Sequence, residues 1–282
     1  MLKILGLGAG VQSTMVALLS KHGELPPLDC AIFADTGWEP AAVYRHLDWL
    51  ETQLPFPVHR VSAETSLREQ YERTEGTRFV SLPMFTEGGG RLWRQCTKQW
   101  KIEPIHAKVR ELLGLTKGER AKKYPQVEHW YGISLDEDHR MRDSDHTWIH
   151  NCYPLVFDLP MTRHDCLKWL KNYDYPEPAR SACIGCPFHS NAEWRAMKRD
   201  RPEEFQEAVE FERRIEFLRD VPIHGPEDPD DEDRRPVIGR TRIKERAFLH
   251  RSLRPLDEVD FSTAEDRGQL NWLDECTGLC GN

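Results

Sequence analysis

The groups in this chain best suited to chemistry are a set of backbone amides and a set of thiols. The segment LGLGAGVQSTMVALL (Leu5–Leu19) holds three glycines in five residues and runs from a short apolar stretch into helical spacing. Such a turn presents N–H groups at a helix N-terminus, where they and the helix dipole can hold phosphate. A Walker A loop needs Gly-Lys-Ser/Thr, and Val11, Gln12 and Ser13 stand there instead, which removes that reading. A dinucleotide loop needs a third glycine where Ser13 stands; Gly8 and Gly10 fit, and Asp35 is available as the ribose-binding acid, so an NAD-type site stays open. The third candidate is the pyrophosphatase loop, roughly Ser-Gly-Gly-x-Asp-Ser, of enzymes that cut ATP between its α and β phosphates. Gly8, Ala9, Gly10, Val11, Gln12 and Ser13 fill its six places; Gly10 and Ser13 match, Gly8 and Gln12 depart. A tight strand–helix turn without a ligand is the plain alternative to all three.

The thiols form a second pattern. CIGCPFH (Cys183–His189) is a C-x-x-C followed by proline, a spacing that lets two sulfurs reach one metal centre. ECTGLCG adds Cys276 and Cys280, and RQCTK adds Cys96 in a basic setting. Zinc and an iron–sulfur cluster both suit such a set. Cys30, Cys152 and Cys166 fall in or beside regular elements and read as packing residues. RLWRQCTKQWK interleaves Arg91, Arg94, Lys98 and Lys101 with Trp93 and Trp100, a mixture suited to anions, while Glu137 and Arg140 in LDEDHRMR are further pocket candidates. Arg240, Arg242, Lys244 and Arg246 recur every second residue; on a strand they share one face and suit a phosphate backbone, or merely protect a charged edge.

The elements that must position these groups alternate. Apolar segments at Lys3–Leu7, Asp29–Ala34, Phe56–Ala63 and Val127–Ser134 read as strands, and Ser13–Lys21, Ala41–Gln53, Ile102–Leu113 and the segment opened by Thr162 as helices. This alternation predicts an α/β protein, a doubly wound parallel sheet of the Rossmann-like kind with ligands at the carboxyl ends of its strands. The glycine loop and DTG (Asp35–Gly37) both fall at such ends. TEGGGRLW reads as a mobile loop, and Asn191–Leu218 as charged helix. The expected division is a nucleotide-binding domain over 1–180 and a mainly helical, cysteine-bearing extension over 181–282, with an acidic, proline-bearing linker at 224–236.

Among 282 residues no apolar run approaches a membrane span, and the N-terminal pattern is strand, turn and helix, not a signal peptide, so a cytoplasmic protein with reduced thiols is expected. A net charge of −8 disfavours indiscriminate nucleic-acid binding and leaves local patches to do it.

In GAGVQST, FADTGWEP, RQCTKQWKIEP, YGISLDEDHRMR, YPL (Tyr153–Leu155) and CIGCPF, in that order over most of Leu2–Phe188, the chain resembles the phosphoadenosine-phosphosulfate reductase family of the adenine-nucleotide α-hydrolase superfamily. The resemblance implies an adenine nucleotide such as ATP, with Mg2+, bound by Gly8, Ala9, Gly10, Gln12, Ser13 and Thr14. Asp35, Thr36 and Gly37 would line the pocket with Gly132 and Arg140, and Ser13, Asp35 and Arg140 would carry the chemistry. It also implies that Cys96 joins Cys183 and Cys186 on a 4Fe-4S cluster completed by Cys276 or Cys280. It extends to the sulfurtransferase component of DNA phosphorothioation systems. The leading expectation is an ATP pyrophosphatase that adenylates a substrate, with nucleic acid favoured, for cluster-dependent sulfur transfer, with a sulfur-donor protein as a further partner. A sulfonucleotide reductase and a non-catalytic nucleotide sensor are the alternatives.

Overall fold

The computed structural model describes residues 1–72, 82–116, 118–218 and 245–262. In chain order the elements are β1 (Leu2–Leu7), α1 (Val11–His22), β2 (Cys30–Asp35), α2 (Ala41–Gln53), β3 (Val58–Ser62), α3 (Leu67–Glu72), β4 (Phe85–Thr86), α4 (Glu103–Leu112), β5 (Val127–Tyr131), β6 (Ile149–Cys152), α5 (Pro154–Phe157), α6 (Arg163–Asn172), α7 (Asn191–Asp200), α8 (Pro202–Leu218) and β7 (Ala247–Phe248). They gather into two compact units. Among the described residues, one takes 1–63 and 97–182, the other 64–96 and 183–262.

The first unit is built on a five-stranded sheet ordered β3-β2-β1-β5-β6, parallel throughout. Alternation along the strands covers both faces. Leu5, Leu7, Ala31 and Phe33 pack with α1, α2 and α6, whereas Ile4, Cys30, Ile32 and Val127 pack with Ile105 and Val109 of α4. This is the expected doubly wound α/β arrangement, and the chain reverses its winding between β1 and β5. Ligands in such sheets bind at that switch, outside the carboxyl ends of the strands.

Helix α6 begins where the sequence pointed: Thr162 accepts the Asp165 N–H, and the Asp165 carboxylate accepts from Thr162, a complete capping box. Strand β5 stops at Tyr131, short of the expected Ser134, because Gly132 brings the chain against the start of α1. Helix α4 is preceded by a π-helical turn over Lys98–Ile102, which alternation and helical spacing cannot foretell. Strand β6, an edge strand only four residues long, also escaped the sequence pattern.

The second unit is mainly helical. α7 and α8 fill the expected Asn191–Leu218 stretch, broken at Arg201, and α7 carries its own capping box from Ser190 and Glu193. TEGGGRLW differs from the loop expected of it. Thr86 donates to Gly90 O at 2.9 Å, Leu92 donates to Met84 O at 3.0 Å, and β4 pairs with β7, so the segment is a hydrogen-bonded hairpin. Among the described residues no helix is long and apolar enough to cross a membrane. The acidic stretch 224–236 lies outside the described residues.

Candidate functional site

The glycine loop leaves β1 at Leu7 and enters α1 at Val11. Between them Ala9 is fully buried with φ +54°, a left-handed backbone that costs a non-glycine residue roughly 1–2 kcal/mol. Backbone held in such conformations concentrates at ligand clamps. Gly10 precedes α1 in extended conformation and brings no capping side chain, and the first turn holds no acid. The Val11, Gln12 and Ser13 N–H groups, which have no intrahelical acceptor, therefore open at the sheet's carboxyl edge with the positive end of the dipole. Ser13 Oγ donates to Gly10 O over a long 3.3 Å.

Gly132 closes this site from the other side of the switch. A Cβ built there would lie 2.4 Å from Ser13 N and 2.7 Å from the Gln12 carbonyl carbon. Backbone meets backbone, and only glycine permits it. Thr14 turns the other way: it is fully buried and its hydroxyl lies 2.9 Å from His46 Nε2, whose pKa burial lowers to about 4.

At the end of β2, Gly37 has φ +68° and donates to Asp35 Oδ1 at 2.7 Å; Tyr44 OH donates to the same oxygen at 2.7 Å. Burial, and then the Asp35 carboxylate, push the Tyr44 phenol above its ordinary pKa. Asp35 thus shapes the Asp-Thr-Gly turn with one of its oxygens. Thr36 is buried; its hydroxyl donates to Glu39 Oε1 at 3.3 Å and accepts from the Trp38 N–H. Lys101, from the π-helical turn, lies 3.4 Å from Glu39 Oε1, a side chain only 1% exposed.

Gln12, the departure from the pyrophosphatase pattern, is held by a polar network. Its amide donates to Glu137 Oε2 at 3.2 Å and Ser134 Oγ at 3.4 Å, and its oxygen accepts from Arg163 at 3.2 Å. Arg140, with 8% of its side chain exposed, pairs with Glu137 Oε2 at 2.5 Å. Gln12, Gly132 and Arg140 are therefore brought together at the loop, with two cations and a carboxylate among them. Sequence reading missed Arg163, Glu39, Tyr44 and His46. Arg163 begins α6 in a plain capping pattern, and nothing in the order of residues marks it as a neighbour of Gln12.

In the second unit, Cys183 and Cys186 form a tight turn, with Cys186 N–H donating to Cys183 O at 3.0 Å and His189 Nε2 3.0 Å from the same oxygen. Cys96, Cys183 and Cys186 are all half-buried. Among the described residues no group of three or more His, Cys, Asp or Glu is placed to hold a metal ion. Cys276 and Cys280 lie outside the described residues. Burial pushes the thiols of Cys30 to about 11 and Cys166 to about 12, as suits packing residues. Arg246 is bound to Glu216 at 2.8 Å and packs 5.0 Å over Phe248, while Arg240, Arg242 and Lys244 lie outside the described residues.

Fold and loop together define a doubly wound α/β protein with an open helix N-terminus at its switch point. No family model matches the chain. No curated protein matches it. Among solved structures it is similar to the phosphoadenylyl-sulfate (PAPS) reductase from Candida auris in phosphate complex, at 13% identity, over 63% of this chain and 74% of that one, with a TM-score of 0.40.

Proposed function

We infer that this protein binds an adenine nucleotide at Gly8–Ser13 and cleaves it between the α and β phosphates, adenylating a second substrate, with nucleic acid the favoured acceptor. One observation carries the reading: the uncapped start of α1, with Ala9 strained before it and Gly132 pressed against Ser13, is a cradle for phosphate oxygens and leaves no room for a side chain. The Val11, Gln12 and Ser13 amides and the Ser13 hydroxyl hold the terminal phosphates. Arg140 and Arg163 offset the charge that develops on the leaving pyrophosphate. Gln12 is not a ligand to the phosphates through its side chain, which is spent orienting Glu137 and Arg163. Asp35 fixes the turn that walls the pocket through its Oδ1. Glu137 is the carboxylate of this network that would face a magnesium ion bound with the nucleotide, which would supply further neutralisation.

Sulfur delivery through a cysteine-held cluster belongs to the same proposal, resting on the C-x-x-C turn and Cys96, and no step is routed through it. The test is release of pyrophosphate from ATP alongside calorimetric titration of ATP and of adenylylsulfate. Binding of ATP with pyrophosphate release supports the reading. Sulfite release from a sulfonucleotide with no turnover of ATP gives the site to a reductase, and ATP binding without either product gives it to a sensor.

A further inference from the structure

The second unit holds an aromatic and two guanidinium groups that the nucleotide site does not use. Trp93 is 85% exposed, and among the described residues of this unit no other large apolar side chain is left exposed. It stands just beyond the hairpin fixed by the Thr86–Gly90 and Leu92–Met84 hydrogen bonds and by the Phe85–Arg91 bridge, so a braced arm presents the indole. On either side of it in sequence, Arg91 and Arg94 place their guanidinium carbons 5.3 and 5.7 Å from the centroid of one ring, Phe188. Both cations are thereby tethered near each other. A guanidinium carries five N–H donors in a fixed fork, more than a single partner uses.

We propose that Trp93, Arg91 and Arg94 form a contact for single-stranded nucleic acid, with the indole stacking on a base and the two guanidiniums taking the adjoining phosphates. Size decides against a protein partner. A stable protein interface covers about 800 Å2 on each side around an apolar centre, and among the described residues of this unit a single indole is the large apolar side chain exposed. One exposed ring is, however, what a single base needs, and every base has a face to stack. A stacking contact also requires an unpaired base, so the strand must be single or locally opened. The net charge of −8 gives no general attraction to a polyanion, which leaves recognition to a local contact of this kind. The contact rests on the reading of the acceptor as nucleic acid and names the form in which it is engaged.

The test is fluorescence anisotropy of a short labelled single-stranded DNA, the same sequence as RNA, and the matching duplex, titrated with full-length protein over a range of salt. Wild type binds single strands more tightly than duplex. Trp93→Ala weakens that binding about tenfold or more, the loss of one base stack, while Trp93→Phe retains most of it. Arg91→Ala with Arg94→Ala lowers the slope of log affinity against log salt by about one to one and a half, as two phosphate contacts require. The DNA and RNA arms say which strand is preferred. Equal binding by Trp93→Ala and wild type overturns the proposal, as does absence of single-strand binding or a preference for duplex. A self-association seen by sedimentation that needs Trp93, with oligonucleotide binding unaffected by its loss, also overturns it and makes the indole a protein contact. Failure of wild type to bind ATP while Trp93-dependent oligonucleotide binding persists removes the adenylation reading alone.

Discussion

At the scale of single residues, the site depends on one contact that no side chain can enter. Gly132→Ala would put a methyl 2.4 Å from Ser13 N, so either the β5 exit or the first turn of α1 must move. We expect a loss of stability of about 1–3 kcal/mol and loss of ATP binding, read by urea unfolding and calorimetry. Gly10→Ala is the control: its new Cβ meets Ser181 Cβ at 3.8 Å, an ordinary contact, and φ −93° suits alanine. It should fold normally, so any deficit it shows is in the approach of phosphate. Gln12→Asp, which would restore the pyrophosphatase pattern, should lower nucleotide affinity. The amide that donates to Glu137 would become a second carboxylate beside the first, and Arg163 would be drawn from its place.

At the scale of elements, α7 enters the fold from the C-x-x-C turn through Ser190, whose hydroxyl accepts the Glu193 N–H while Glu193 returns the bond. Ser190→Ala should cost about 1 kcal/mol, measured by urea unfolding, and leave ATP binding in the other unit unaltered. The cap at Thr162 was legible as a short residue pattern because caps are local. The π-helical turn at Lys98–Ile102 was not, since it sets Lys101 beside Glu39, a partner on a different part of the chain. Packing thiols follow from their elements: Cys30 on β2 and Cys166 on α6 are buried with raised pKa values. Alkylation of native protein in mildly alkaline buffer, mapped by mass spectrometry, should leave both unmodified until the protein unfolds.

At the scale of the whole molecule, folding holds three histidines neutral. Burial lowers the pKa of His46 and His106 to about 4 and that of His129 to about 3, with His146 adding to the effect at His106. The unfolded chain protonates each near its ordinary 6.5, the native chain only well below that, so their contribution is complete above pH 6.5 and falls away towards pH 4. Glu212 opposes them. Burial raises its pKa to about 7, so the stability it adds is present below its ordinary 4.5 and lost as pH rises through about 7. Three groups outweigh one, and the urea midpoint should fall as pH drops from 6.5 to 4.5, at about 1.4 kcal/mol per pH unit for each net proton taken up. A midpoint that rises over that range contradicts the burial of these rings. At neutral pH, ATP at a hundredfold excess over its dissociation constant should add about 2.7 kcal/mol, visible as a higher melting temperature that Gly132→Ala lacks.

The order of residues by itself determined four of the five strands of the sheet, the glycine turn, the Asp-Thr-Gly turn and the C-x-x-C, because periodicity, turn chemistry and spacing act over a few positions. Tertiary structure alone decided that β5 lies beside β1, which presses Gly132 on Ser13 and joins Gln12 to Glu137, Arg140 and Arg163. These partners lie more than a hundred residues from Gln12 along the chain. What brings them together is the winding of helices over both faces of a parallel sheet, a property of packed layers that no local window of sequence contains.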